Sequence, residues 1–344
     1  MDKVFVLWAI SNAVAFVALY QDQGALINRM GFLYNTLGTY FLMRFLLQDQ
    51  RDIDRAIWAL GVICVIVSVF MVIEQLYGRN LFSFLGGVPE MAIVRADRIR
   101  SQGPFGHALL AGTCGAMLLP LFVGLWQKGQ FKGIATLAIV AATVMVVTSA
   151  SSTPLLVYAG GIAGLCFWPF RKWMRQFRWG LAAILIGLHF IMNAPVWSLI
   201  GRFDLTGSSS GYHRFKLIDL TIEHVGDWWM VGMPDTSIWG WDMGDTANQF
   251  VEAAVTGGIV TLVLFIWLIA CAFQKIGVAR KAGGTHPSTE RQLWAIGVCL
   301  FSNVVAFFGI TYFDQTMIVW LVILALISSV KVPEVKINSE PVGI

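Results

Sequence analysis

The chain has 344 residues, 57% of them hydrophobic and only 13% charged, with 14 Trp and 24 Phe. That balance, with a mean hydropathy of +0.70, lies outside the range of soluble domains and fits a polytopic helical membrane protein. The net charge of +4 is small, and in such a chain placement of charge matters more than its sum; it gives no reason to expect a nucleic-acid partner.

In chain order, the apolar runs predict ten spans at about 4–20, 30–47, 56–77, 108–126, 133–148, 153–170, 180–200, 250–274, 292–312 and 315–331. The predicted fold class is all-α: a polytopic transmembrane helical bundle of about ten spans. It forms a single integral membrane domain over 1–344, with a long external loop at 201–249 that contains an amphipathic helix. The first run begins almost at Met1 and lacks a small-residue cleavage site before "QDQG", so no cleavable signal peptide is expected. The connector "RDIDR" at 51–55 contains an Asp-x-Asp pair, which could suggest a metal and nucleotide-sugar site were it not in a short cytoplasmic connector. Cys64, Cys114, Cys166, Cys271 and Cys299 all fall in apolar runs without a CxxC pair and read as small buried residues. No metal or cofactor is called for.

Alternate loops carry most of the basic residues. Lys3, Arg51, Arg55, Lys128, Lys132, Arg171, Lys172, Arg175, Arg178, Lys275, Arg280, Lys281, Arg291, Lys331 and Lys336 fall on one side, which the positive-inside rule makes cytoplasmic. Arg44, at the inner end of the second span, is expected to snorkel. The opposite side holds Arg29, Arg79, Arg95, Arg98, Arg100, Arg202, Arg214 and Lys216, and all but Arg29 lie in the two longest loops, 78–107 and 201–249. Topology does not explain arginines there. A guanidinium is permanently charged and presents a fork of donors matched to phosphate, so a lipid diphosphate is the natural ligand; contact with phospholipid head groups is the plainer alternative.

Two stretches concentrate this chemistry. In "RSQGPFGHALLAG", 100–112, Gly103, Pro104 and Gly106 predict a tight turn before a helix whose free N–H groups suit an anion, with His107 near its start. In "SGYHRFKLIDLTIEH", 210–224, apolar and charged residues alternate as on an amphipathic helix expected to lie along the membrane surface. Trp228, Trp229, Trp239 and Trp241, which follow, read as an aromatic belt or as platforms for sugar rings.

Arg100 with "GPFGHA", "YHRFKLIDL" with Arg214, and "DTANQFVEAAVTGGI" with Asn248 together resemble the motifs of the O-antigen ligase and polymerase superfamily. "SASSTP" at 149–154 is a weaker fourth match. The resemblance implies a metal-independent glycosyltransferase without a cofactor, at the external (periplasmic) face of the bacterial inner membrane. Its donor would be a glycan on undecaprenyl diphosphate and its acceptor another lipid-linked glycan or lipid A core, among membrane lipids and polysaccharide-assembly proteins. By the same resemblance Arg100 and Arg214 would hold the diphosphate, and Tyr212 and Asn248 fall in its motifs as other site residues; the basic clusters themselves add Arg98 and Lys216 as further candidate contacts, with phospholipid head groups the plainer partner for Arg98. The sequence departs from the family in having Ala247 where ligases carry a His, and Thr153 where an Arg is common. The first departure favours a polymerase over a strict ligase. It leaves Asp245, His213 and His107 as candidates to accept the acceptor's proton; Asp245 reads equally as the cap of the next helix. Two other classes stay open: a transporter or flippase for a lipid-linked sugar, for which only Arg44, Glu74, Glu252 and Asp314 offer intramembrane charges, and a non-catalytic assembly protein.

Overall fold

A computed structural model describes residues 1–95, 97–129, 131–199, 210–282 and 287–331. Arg202, Lys336 and the first part of the predicted 201–249 loop lie outside the described residues. The described chain is all-α apart from one β-hairpin. Its long helices are α1 (Asp2–Tyr20), α2 (Gln23–Leu46), α3 (Gln50–Tyr77), α4 (Ala108–Lys128), α5 (Lys132–Thr148), α6 (Ser152–Cys166), α7 (Met174–Ile191), α8 (Ser210–Glu223), α9 (Gln249–Lys281), α10 (Pro287–Phe307) and α11 (Asp314–Ser329).

Each predicted apolar run is met by one of these helices, α8 standing apart in the loop. Not all are full crossings. Among the described residues α1, α3, α4 and α9 are long and apolar enough to cross a membrane, and α6 with the segment 168–191, bent by 77°, would make a fifth. At 17 and 16 residues, α5 and α11 reach only about 25 Å at 1.5 Å per residue, short of a hydrocarbon core of about 30 Å.

The bundle is organised around α4. Of its apolar window 89% is buried, against 39–44% for the other three candidate spans, and a helix apolar all round belongs at a centre. It packs against α3, α5, α6 and α10, while α1 packs on α9 and α2, and α2 on α11. Small residues (Ala111, Gly112, Gly115, Ala116) bring the backbones together.

The helix α9 is broken at Gly258, whose φ of 70° and ψ of −174° are not helical. The groups freed by the break are taken up by the loop before it: Met233 N–H donates to Val255 O (2.7 Å) and Ile259 N–H to Trp229 O (2.9 Å). A Cβ at 258 would stand 2.4 Å from Met230 O, so only glycine fits both the conformation and the approach. Leu217 and Leu220 of α8 join Trp228, Met233, Trp239, Met243 and Val251 in a small second core on the start of α9. The amphipathic helix thus has its apolar face occupied by the protein itself. The aromatic-belt expectation is corrected in the same way: Trp228 and Trp239 are buried there, and only Trp229 and Trp241 are exposed.

The end of the bundle where α1, α3 and α10 begin holds several paired charges. Lys128 Nζ is bonded to Asp54, which also accepts from Gln292 Nε2 (2.5 Å); Arg171 meets Glu290 at 3.1 Å. Arg44 donates to Ser329 Oγ (2.8 Å) and pairs with Asp2 (3.5 Å). The Asp-x-Asp pair of "RDIDR" is divided, Asp52 closing a capping box with Asp49 and Asp54 serving Lys128. Cys64, Cys114 and Cys299 are buried, but Cys166, at the end of α6, is exposed; all five are free thiols.

Candidate functional site

The opposite end, where α3, α5 and α10 finish and α4, α6, α9 and α11 start, gathers the sequence-selected residues. There β1 (Ile93–Arg95) and β2 (Arg98–Arg100) form an antiparallel hairpin with Arg95 opposite Arg98 and Ile93 opposite Arg100. Arg98 and Arg100, two apart on β2, share one face of the hairpin, so what separates them is distance from the tip. Arg95 and Arg98 are exposed at the hairpin tip, whereas Arg100 at its base is 7% exposed.

The buried turn that follows fixes Arg100. Glu74, in the last turn of α3, accepts from the backbone N–H of Gln102 (3.1 Å) and Gly103 (2.8 Å). Ser101 N–H donates to Thr148 O at 3.0 Å, and Asn80 Nδ2 to Gly103 O at 2.7 Å. Glu74 is therefore a brace for the turn, a structural use of one of the four intramembrane charges.

So held, Arg100 donates through Nη2 to Ser151 Oγ at 2.5 Å. Two residues further along the same turn, Thr153 Oγ1 accepts from Arg214 Nη2 at 2.7 Å. The "SASSTP" stretch, which joins α5 to the first turn of α6, thus carries both guanidiniums, and Thr153, the residue that departs from the family pattern, is one of the two hydroxyls. Arg214 is 9% exposed. The backbone at Gly309 lies against this pair: a Cβ there would be 3.3 Å from Arg214 Nε and 2.9 Å from Thr153 Cγ2, so a side chain would push into the seat. Burial holds the Arg100 guanidinium below its ordinary range, and Arg95 acts in the same direction; it stays protonated. No carboxylate pairs with Arg100 among the described residues, and its Nε is buried without a hydrogen-bond partner.

The three candidate proton acceptors stand differently. His107 caps α4: Leu109 N–H donates to its Nδ1 at 3.1 Å, so the neutral ring carries its proton on Nε2. Burial and Arg100 hold its pKa below the usual histidine value. It can donate a hydrogen bond from Nε2, but its accepting nitrogen is in use. His213 places Nε2 2.7 Å from Asp242 O, which leaves Nδ1 free. Asp245 is exposed, and its charge acts on His107 and Glu252. The cap reading of Asp245 is corrected: Asn248 is the N-cap of α9, its Oδ1 accepting from Phe250 N–H (2.9 Å) and Val251 N–H (3.2 Å). Asn248, three residues closer to the helix, has the same capping chemistry. Tyr212 is exposed, and Lys216 lies 3.9 Å from Asp219 within α8.

A cleft of about 620 Å³ adjoins this end, between α1, α2, α9 and α11. It contains Glu252, which sequence reading ranked only as an intramembrane charge, and Arg29, read only as an isolated external arginine. Their signal was faint, a single charge one or two turns inside an apolar helix.

No family model matches the chain, and no curated protein does. Among solved structures, a chain from "Structural coordination of polymerization and crosslinking by a peptidoglycan synthase complex" aligns over 95% of both chains with 15% identity and a TM-score of 0.45. A likeness of that degree speaks neither to substrate nor to chemistry.

Proposed function

We propose that this chain is a membrane glycosyltransferase that transfers or polymerises a glycan carried on undecaprenyl diphosphate at the external face of the inner membrane, of the O-antigen or exopolysaccharide polymerase or ligase type. The observation that carries this reading is Arg100, a buried guanidinium whose side-chain partner among the described residues is a hydroxyl. Burying a charge without an opposite charge is costly, and a fixed anion site keeps such a charge for its ligand. Arg214, on the neighbouring hydroxyl of the same turn, gives the seat a second fork. Two forks suit a diphosphate better than a single phosphate.

The chemistry follows from the placement. When the bond between the anomeric carbon and the diphosphate oxygen breaks, negative charge grows on the departing diphosphate. Guanidiniums already fixed there stabilise it with little reorganisation. His107 Nε2–H is a further donor toward the same ligand. Arg98, exposed on the hairpin tip, and Lys216, beside Asp219 on α8, meet the head-group zone first and contribute less. Asn248 acts by holding the 245–247 backbone at the helix start, and Tyr212 offers an exposed ring to sugar.

Reconstitution of the full chain in proteoliposomes with a lipid-linked repeat unit tests the reading. Transfer or chain growth is expected without added nucleotide or metal, and both Arg100→Ala and Arg214→Ala should insert normally yet form no product. Full activity in both variants at normal expression would remove the diphosphate seat from the mechanism.

A further inference from the structure

The cleft between α1, α2, α9 and α11 is built for a polar ligand, although its walls are otherwise those of a membrane bundle. Its volume lies within the range of small-molecule sites. Asn12, Asn35, Thr36 and Thr311 line it together with Arg29 and Glu252. Amides and hydroxyls in that density, with one guanidinium (Arg29) and two carboxylates (Glu252 and Asp314), match the hydroxyl-rich surface of a sugar.

Three features show that the cleft is more than a packing gap. First, Arg29 is positioned on three sides: it donates to Asn12 Oδ1 at 2.7 Å, lies over the Phe16 ring at 3.6 Å and beside Phe32 at 5.2 Å. Second, two buried donors of cleft residues, Arg29 Nε and Trp8 Nε1, have no hydrogen-bond partner among the described residues, and Trp8 is 4% exposed. Unpaired buried donors are rare and costly unless a ligand or water meets them. Third, Glu252 and Thr256 also line a second, smaller hollow of about 200 Å³, walled by the loop residues Met233 to Thr236. Glu252 thus lines both hollows.

Glu252 is aimed as well as placed. Thr246 Oγ1 donates to its Oε2 at 2.5 Å, which leaves Oε1 for another donor. Arg29 attracts it across the cleft. The carboxylate is also close to the arginine seat: Thr311 Oγ1 donates to Thr246 O at 2.5 Å, and Gly309, two residues before Thr311, lies against Arg214 and Thr153. Two residues of chain span at most about 7 Å.

We propose that this cleft seats the acceptor sugar of a membrane-anchored glycan and that Glu252 takes the proton from the attacking hydroxyl. The inference rests on the glycosyltransfer reading above. In the step, the acceptor O–H proton passes to Glu252 and the acceptor oxygen bonds to the anomeric carbon. The bond from that carbon to the diphosphate oxygen breaks, and its electron pair leaves with the diphosphate toward Arg100 and Arg214. Glu252 then returns its proton to water. Arg29, across the cleft from Glu252, orients the sugar.

The test uses the full chain in proteoliposomes, a lipid-linked repeat unit as donor and acceptor, and undecaprenyl diphosphate alone as a binding probe. Glu252→Gln is expected to lower kcat by roughly 10²–10⁴-fold while leaving affinity for the probe unchanged. Glu252→Asp, which keeps the charge but draws it back by one methylene, should insert and lose up to about 10²-fold, the scale of a misplaced catalytic group. Arg29→Gln should raise KM for the acceptor more than it lowers kcat. Near-normal turnover in Glu252→Gln overturns the inference; should that variant fail to insert, near-normal turnover in Glu252→Asp does so instead. A wild-type chain that transfers, with inactive Arg100→Ala but active Glu252→Gln, would sink the acceptor assignment alone. A wild-type chain inert toward lipid-linked glycans would sink the underlying reading.

Discussion

The two ends of the bundle differ in how some of their charges are held: ion pairs occur at both, Arg79 with Glu90 and Lys216 with Asp219 at the hairpin end, but Arg100 has no carboxylate partner among the described residues. At the end where α1, α3 and α10 begin, Lys128 has Asp54, Arg171 has Glu290 and Arg44 has Asp2. At the end that carries the hairpin, Arg100 and Arg214 meet hydroxyls of one turn, Glu74 is bonded to backbone N–H groups, and Arg29 and Glu252 face each other across a cleft. Paired charges knit helices together and are consumed by the fold. On the proposed reading Arg100, held by a hydroxyl, keeps its field for an arriving anion.

The largest expected effect is on stability, at the paired end. Asp54→Ala strands a buried ammonium, and breaking such a pair costs about 3–5 kcal/mol; thermal unfolding in detergent should show a large fall in midpoint. Replacing both partners, Asp54→Leu with Lys128→Met, should recover most of it. The hairpin end should behave in the reverse manner. Arg100→Leu removes a buried charge that has no carboxylate, so the unfolding midpoint should hold or rise, while product formation drops by the roughly 10²–10³-fold typical of a lost transition-state donor. A large fall in the midpoint would make Arg100 structural and collapse the contrast.

Smaller effects sharpen it. Asn248→Ala removes the cap of α9 and should cost about 1 kcal/mol in unfolding experiments, with Asn248→Asp nearly neutral. Removing the Arg100 charge should raise the His107 pKa toward its ordinary value, because burial and Arg100 both disfavour imidazolium; NMR titration of the labelled ring would follow it, and an unmoved titration would place the two groups apart. Arg98→Ala, at the exposed hairpin tip, should change turnover the least.

Much of this was legible in the chain. The apolar runs located the ten long helices because burial and the 3.6-residue period leave strong marks over 15 or more residues. The glycine and proline turn after Arg100 and the amphipathic pattern of 210–224 were legible for the same reason. Other features were hidden because they depend on partners distant in sequence. Nothing in "RADRIR" says that its third arginine alone turns inward; that follows from a hairpin of two three-residue strands and from Glu74, which holds the backbone of Gln102 28 residues away. Trp228 and Trp239 read as interfacial because the loop core that buries them forms only when α8 folds back on α9. Asp245 lost the cap to Asn248 by three positions, a distinction finer than boundary reading from sequence allows. The break at Gly258 was visible as "GGI", but its purpose, admitting the 229–233 loop, was not.

The measurement that bears most directly on the contrast is binding of undecaprenyl diphosphate to the full chain in nanodiscs, compared between an arginine of each end. Arg100→Ala should weaken binding by at least tenfold, with Arg100→Lys recovering little because a point charge does not reproduce a fork. Arg171→Ala, which breaks the pair with Glu290 at the other end, should leave binding at the wild-type level. Equal binding by wild type and Arg100→Ala would contradict an anion seat at the hairpin end, whatever the two variants do to stability.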